Sequence, residues 1–343
     1  MRIGQMLIIG FRGTEANENS YIVKAIKNLN LGGVILFDID GPTKSFPRNI
    51  ISTSQVKELI NGLKKSSSTP LMVAVDAEGG RVNRLKPEYG FITVPSAREL
   101  GEKNDLNETV KASTSLAGEL SELGFNVNFA PVVDVNVNPE NPVIGALGRS
   151  FSFDERIVSG QARAFIEGQH KYGIMTAIKH FPGHGSSKAD SHKGLVDVSE
   201  TYQDRELIPY KELIKDGAVD MVMTAHIINK KIDSEYPATL SGHYITEILR
   251  KKLGFKGVVV SDDMQMGAIT ERYGFKEAVI RAVNAGCDLL IISNNGSAYD
   301  EMAPYRARDI ILKAVKSGEI PRKGIVESSR RIERLKDKFR KSN

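Results

Sequence analysis

Eight short apolar runs, each bounded by turn residues, recur along this 343-residue chain with amphipathic segments between them. In order they are QMLIIGF, GGVILF, LMVAVD, VNFAPVVD, IMTAIKH, MVMTAH, VVVSDD and DLLIIS. Each is continuous rather than alternating and rich in Val, Ile, Leu or Met, the pattern of a strand buried on both faces. Segments such as DERIVSGQARAFIEGQHKYG before the fifth run and ITEILRKKLGF before the seventh have helical patterning. The alternation predicts an α/β fold, a closed (β/α)8 TIM-type barrel forming one domain over residues 1–343. An open doubly wound sheet is the competing topology, but no Gly-rich dinucleotide fingerprint follows the first run. The stretch Asp38–Pro70 has a Pro/Gly/Ser-rich start and reads as an elaborated connection.

The carboxyl ends of the runs carry the polar groups: Asp76 with EGGR, Asp134, Lys179–His180, His226, Ser261–Asp262–Asp263 and Ser293–Asn294. In a barrel these ends share one rim, where such folds place their active sites. The densest segment is KHFPGHG at Lys179–Gly185, followed by DSH at Asp190–His192. Its Pro and Gly content suits a loop that presents titratable groups on a rigid scaffold.

Composition narrows the classes. The chain is 41% hydrophobic and 26% charged, ordinary for a globular protein. No apolar stretch approaches the roughly 20 residues of a membrane span. The start MRIGQMLIIGF lacks a signal-peptide cleavage site, so a cytoplasmic location is expected, or an exported one if a leader precedes it. Cys287 is the single cysteine, permits no internal disulfide, and reads as a buried thiol rather than a nucleophile. The formal charge of +5 lies wholly in RRIERLKDKFRKSN at 330–343. There Ile332, Leu335 and Phe339 stand at helical spacing, so a basic closing helix at about 325–343 is expected to dock one stripe, and no nucleic-acid partner is inferred.

Three chemistries fit the rim residues. In metal-assisted hydrolysis His180, His184, His192 and His226 would be ligands, but Pro182 and Gly183 break the helix that would align the first pair. No metal or cofactor is therefore expected. In glycoside hydrolysis Asp262 or Asp263 would be the nucleophile, with His192, supported by Asp190, as proton donor. Spacing leaves the two aspartates undecided. It also allows plainer roles, a helix cap for SDD and a solvated pair for Asp190 and His192. In a sugar-binding barrel without turnover, Asp76, Arg84, Arg149, Lys179 and His180 would be hydroxyl ligands.

The chain resembles glycoside hydrolase family 3, and within it the single-domain bacterial β-N-acetylhexosaminidases of cell-wall recycling. The likeness rests on GQMLIIGF, GGVILF, VDAEGGRVNRL, FAPVVDVNVNPENPVIGALGRSF, KHFPGHGSSKADSH, VMTAHI, YPATLS and GVVVSDDMQM. It implies Asp262 as nucleophile, His192 as general acid/base, and Asp190 as its partner on a mobile loop hinged at Gly183, Gly185 and Gly194. It further implies that Asp76, Arg84, Arg149, Lys179 and His180 hold a terminal N-acetylglucosamine. The expected activity is retaining exo-glycosidase action of a monomer on muropeptides or chitin-type oligosaccharides. A β-glucosidase remains an alternative, as does a phosphorylase, because neutral imidazole repels phosphate less than a carboxylate does.

Overall fold

A computed structural model describes residues 2–190 and 194–340. Each of the eight apolar runs contains a barrel strand: Leu7–Gly10, Gly33–Ile35, Met72–Val75, Val127–Asn128, Met175–Phe181, Met221–Thr224, Val258–Asp263 and Leu289–Ile292. They pair in parallel into a closed (β/α)8 barrel. The first strand closes it, pairing with the second through Ile8↔Gly33 and with the eighth through Ile8↔Ile291. The expected fold is the observed one.

The fourth strand is shorter than its run. Regular strand geometry ends at Asn128, but backbone bonds to both neighbours continue, from Phe129 N–H to Val75 O at 3.0 Å and from Ala177 N–H to Ala130 O at 3.1 Å, and Val132 bridges to Lys179. The fifth and seventh strands reach furthest toward the rim, and each carries one extra residue there. The register slips between Ile178 and Phe181 in the fifth strand, and between Val260 and Asp263 in the seventh. Such bulges re-aim side chains at barrel rims, and these two contain Lys179, His180 and Asp262.

Helices cover the outside. Asp154 caps Glu155–His170 by accepting from the N–H groups of Arg156 and Ile157, and Asp105 does the same for Leu106–Leu123 through Asn107 and Glu108. No helix among the described residues is long and apolar enough to cross a membrane. Cys287 is fully buried in the core.

The terminal helix, Arg322–Arg340, closes the floor of the barrel, opposite the rim. Its stripe of Ile332, Leu335 and Phe339 is buried, as the spacing predicts. Part of the basic charge there is put to use. Arg331 donates to buried Asp288 at 3.0 Å, and Lys338 to buried Asp220 at 2.7 Å. Lys336 donates to the carbonyls of Gly32 and Pro70 and to Gln5 Oε1 at 2.7–3.0 Å.

Asp220 also meets His170 Nε2 at 2.6 Å and accepts from the Thr176 N–H at 3.1 Å. Burial would raise this carboxyl, but His170 and Lys338 outweigh it and hold it below its ordinary value. A depressed carboxylate stabilises the fold fully above its unfolded pKa, and the contribution fades as pH falls through the folded value. Asp220→Asn is therefore expected to cost about 3 kcal/mol at neutral pH. The difference from the parent should shrink below about pH 4, measured as urea midpoints across pH.

Candidate active site

The rim site begins at the end of the third strand. Asp76 and Glu78 are two residues apart in extended chain, so both can address the same neighbour. Asn128 grips the peptide between them, donating to Ala77 O at 2.9 Å and accepting from Ala77 N at 3.1 Å. The tight turn that follows needs glycine: Gly79 has φ +92°, and a Cβ on it would lie 2.1 Å from Pro95 O.

Lys179 enters from the bulge of the fifth strand. Its Nζ lies 2.9 Å from Asp76 Oδ1 and 2.7 Å from Glu78 Oε1, with the side chain almost wholly buried. Arg149 completes the cluster with two parallel hydrogen bonds to Glu78, Nε to Oε2 at 2.8 Å and Nη2 to Oε1 at 2.7 Å. Its Nη1 donates to Val143 O at 2.8 Å. Burial opposes charge on Glu78, Arg149 and Lys179, and their mutual attraction overcomes it. Glu78 is held far below the ordinary carboxylate range, while Lys179 and Arg149 are raised.

Next to this cluster, buried Asp134 organises the histidines. Its Oδ2 lies 2.7 Å from His180 Nδ1, and its Oδ1 accepts from the backbone N–H groups of His180 at 3.2 Å and His184 at 2.8 Å. His180 Nε2 lies 3.3 Å from Arg149 Nη2. Burial works against the Asp134 carboxylate, but His180 and then His184 keep it below its ordinary value. Burial, then neighbouring His180, lowers His184 to about 4, so it is neutral at physiological pH. Gly185 packs so tightly that a Cβ would lie 1.7 Å from Val135 O, which makes it a close-approach position rather than an open hinge. His226 is bonded through both ring nitrogens, 2.8 Å from Thr239 Oγ1 and 2.8 Å from Asp263 O.

The two aspartates of the seventh strand differ in environment. Asp263 is tied to the scaffold: it accepts from the N–H groups of Ser293 at 3.0 Å and Gln265 at 3.2 Å, and from the Ser293 hydroxyl. Burial raises it, and neighbouring Asp262 adds to the shift. Asp262 is partly buried, and its Oδ1 accepts the N–H of Asp263 at 2.8 Å.

Of the expected site residues, Asp76, Lys179, Arg149 and His180 form one contiguous cluster. Arg84 stands at its edge, with its N–H on Asp76 O at 3.0 Å and its guanidinium 3.6 Å from buried Asp38. Asp190 is partly buried on the loop after the fifth strand. His192 lies outside the described residues. Glu78, central to the cluster, and Asp38 are not among the ligands that the sequence singles out. Their signal is positional: Glu78 follows Asp76 with strand periodicity, and Asp38 is the first charged residue after GGVILF. Among the described residues no group of three or more His, Cys, Asp or Glu is arranged to hold a metal ion.

Fold and rim together define the class: a (β/α)8 barrel whose polar, charge-balanced site sits at the carboxyl ends of its strands. The profile of the glycosyl hydrolase family 3 N terminal domain matches residues 1–335, and the chain belongs to that family. It is 33% identical to β-hexosaminidase A of Pseudoalteromonas piscicida, covering 93% of this chain and 55% of that protein. It is 37% identical to the β-hexosaminidase of Tolumonas auensis, over 79% of this chain and 78% of the relative. The structure also superposes on a family 3 β-N-acetylglucosaminidase from Paenibacillus sp. str. FPU-7 with a TM-score of 0.89. That match has 36% identity and covers 99% of this chain and 62% of the other. The chain thus spans little more than half the length of two of these three relatives.

Removing one partner from a buried ion-pair cluster leaves the others uncompensated. Glu78→Gln should lower stability by about 3 kcal/mol, seen as a reduced urea midpoint.

Proposed function

We propose that this chain is a retaining exo-β-N-acetylhexosaminidase that removes terminal β-linked N-acetylglucosamine from cell-wall or chitin-type oligosaccharides. The observation that carries the reading is the Asp76–Lys179–Glu78–Arg149–His180 cluster on the same rim as Asp262. Fixed, alternating donors and acceptors suit the hydroxyls of a pyranose, and a site already charged and paired need not reorganise when sugar binds. Named hexosaminidase relatives support the same sugar.

Asp262 is the nucleophile of this proposal. Asp263 is committed to contacts that tie the seventh strand to the eighth, and Asp262 is the aspartate that the family resemblance assigns to the role. Its oxygen attacks the anomeric carbon as a proton passes to the leaving glycosidic oxygen, and the bond to the aglycone breaks. In the second step, water that gives up a proton displaces Asp262, so configuration is retained overall. The proton donor, and then acceptor, is His192 partnered by Asp190, a role that rests on the family resemblance. A histidine in that role titrates near neutrality, so the rate should fall on the alkaline side as imidazolium is lost.

Asp76, Lys179, Arg149 and His180, with Arg84 at the edge, hold the terminal sugar.

Release of nitrophenol from 4-nitrophenyl β-N-acetylglucosaminide, beside the matching β-glucoside and with and without phosphate, tests the reading. Fast turnover of the acetamido sugar alone, independent of phosphate, is expected. Preference for the glucoside would overturn the sugar assignment, and phosphate dependence would overturn hydrolysis. Asp262→Asn should lower kcat on the order of 10³-fold or more while calorimetry still detects N-acetylglucosamine. Undiminished turnover in that variant would remove Asp262 from its role.

A further inference from the structure

Beyond the rim cluster, the elaborated connection after the second strand carries an aromatic surface that neither the fold nor the proposed chemistry uses. Phe46 stacks on Tyr89 with ring centroids 4.7 Å apart and planes 19° from parallel. Phe46 is nevertheless 44% exposed, so its outer face is open to solvent. An exposed apolar side chain on a loose loop would mean little. This loop is not loose. Asp40 accepts two hydrogen bonds from Arg12 at 2.8 Å each, pairs with fully buried Arg48, and accepts the Thr43 hydroxyl at 2.7 Å. Backbone bonds close the loop on itself, from Arg48 N to Asp38 O at 2.8 Å and from Asp40 N to Ser45 O at 2.9 Å. Asn295, beyond the eighth strand, ties down Gly41 N and Ile39 O.

The surface also adjoins the rim cluster. Lys86 Nζ lies 5.7 Å from the Tyr89 ring centre and 2.8 Å from Asp38, which in turn faces Arg84 at 3.6 Å. From Arg84, at the edge of the sugar cluster, the path runs through Asp38 and Lys86 to the stacked rings. It passes from charged hydrogen-bonding groups to a flat apolar face, the pairing that a pyranose ring presents through its hydroxyl edge and its C–H face.

We propose that Phe46, backed by Tyr89, is a stacking platform for an aglycone sugar of a β-linked N-acetylglucosamine oligomer, with Lys86, held in place by buried Asp38, meeting its polar edge. The inference rests on the exo-glycosidase reading. When the terminal sugar fills a pocket in the rim, the rest of the oligomer must leave across the rim, and this is a rigid surface adjoining that pocket. Binding energy collected there is remote from the reacting bond and favours longer substrates.

The chain contains no tryptophan, so Phe46→Trp creates a single reporter on the platform. In the combined variant Phe46→Trp with Asp262→Asn, chitotetraose should shift or quench the tryptophan emission saturably, whereas N-acetylglucosamine, filling only the pocket, should not. Phe46→Ala should lower the ratio of kcat/KM for chitotetraose over chitobiose by about tenfold, mainly through KM, the scale of one aromatic contact of ~1.4 kcal/mol. Emission that stays unmoved while calorimetry on the same variant detects chitotetraose would overturn the platform and leave the functional reading standing. No binding of either sugar, with no turnover by the parent protein, would overturn the functional reading and the platform with it.

Discussion

Closure of the sheet is the constraint from which the rest follows. The first strand hydrogen-bonds to the eighth as well as to the second, so no edge is left and all eight carboxyl ends face one side. Only then do Asp76, Asp134, Lys179 and Asp262, spread over nearly two hundred residues, come to one rim. Regular pairing would not aim them. The extra residue at the ends of the fifth and seventh strands shifts the register at Lys179, His180 and Asp262, and such bulges re-aim side chains at barrel rims.

Charge at that rim survives burial by being paired before any ligand arrives. Lys179 lies between two carboxylates, and Arg149 grips one of them with two bonds. An apolar cluster of the same volume would cost less to bury. A paired polar cluster is therefore a poor device for stability and a good one for holding donors and acceptors in place before the substrate binds. Asp134 extends the arrangement by fixing His180 through ring and backbone together.

The opposite end of the barrel uses charge for a different purpose. Asp220 and Asp288 are buried at the floor and take cations from the terminal helix, and Lys336 is held by carbonyl and amide oxygens. The basic tail that sets the net charge of the chain is thus in part a plug for the barrel floor. Rim and floor divide the labour expected of this architecture, with ligand chemistry at one end and stability at the other.

Much of this was legible in the chain. Continuous apolar runs separated by helical patterns specify buried parallel strands, because the period of burial is written in the residues themselves. The polar groups at the ends of those runs named most of the rim in advance, and Ile332, Leu335 and Phe339 marked the docked stripe of the tail. Other features are properties of contact and could only come from the folded structure. That Asp263 is bound to Ser293, thirty residues away, is one of them. Glu78 matters because Lys179 and Arg149 converge on it. The exposed ring of Phe46 stands out only once Tyr89 is beneath it and Arg12 and Arg48 have fastened its loop. Local pattern determined where strands and polar groups occur along this chain; three-dimensional closure decided which of those groups meet, because hydrogen bonds and ion pairs act over a few ångströms of space whatever the separation in sequence.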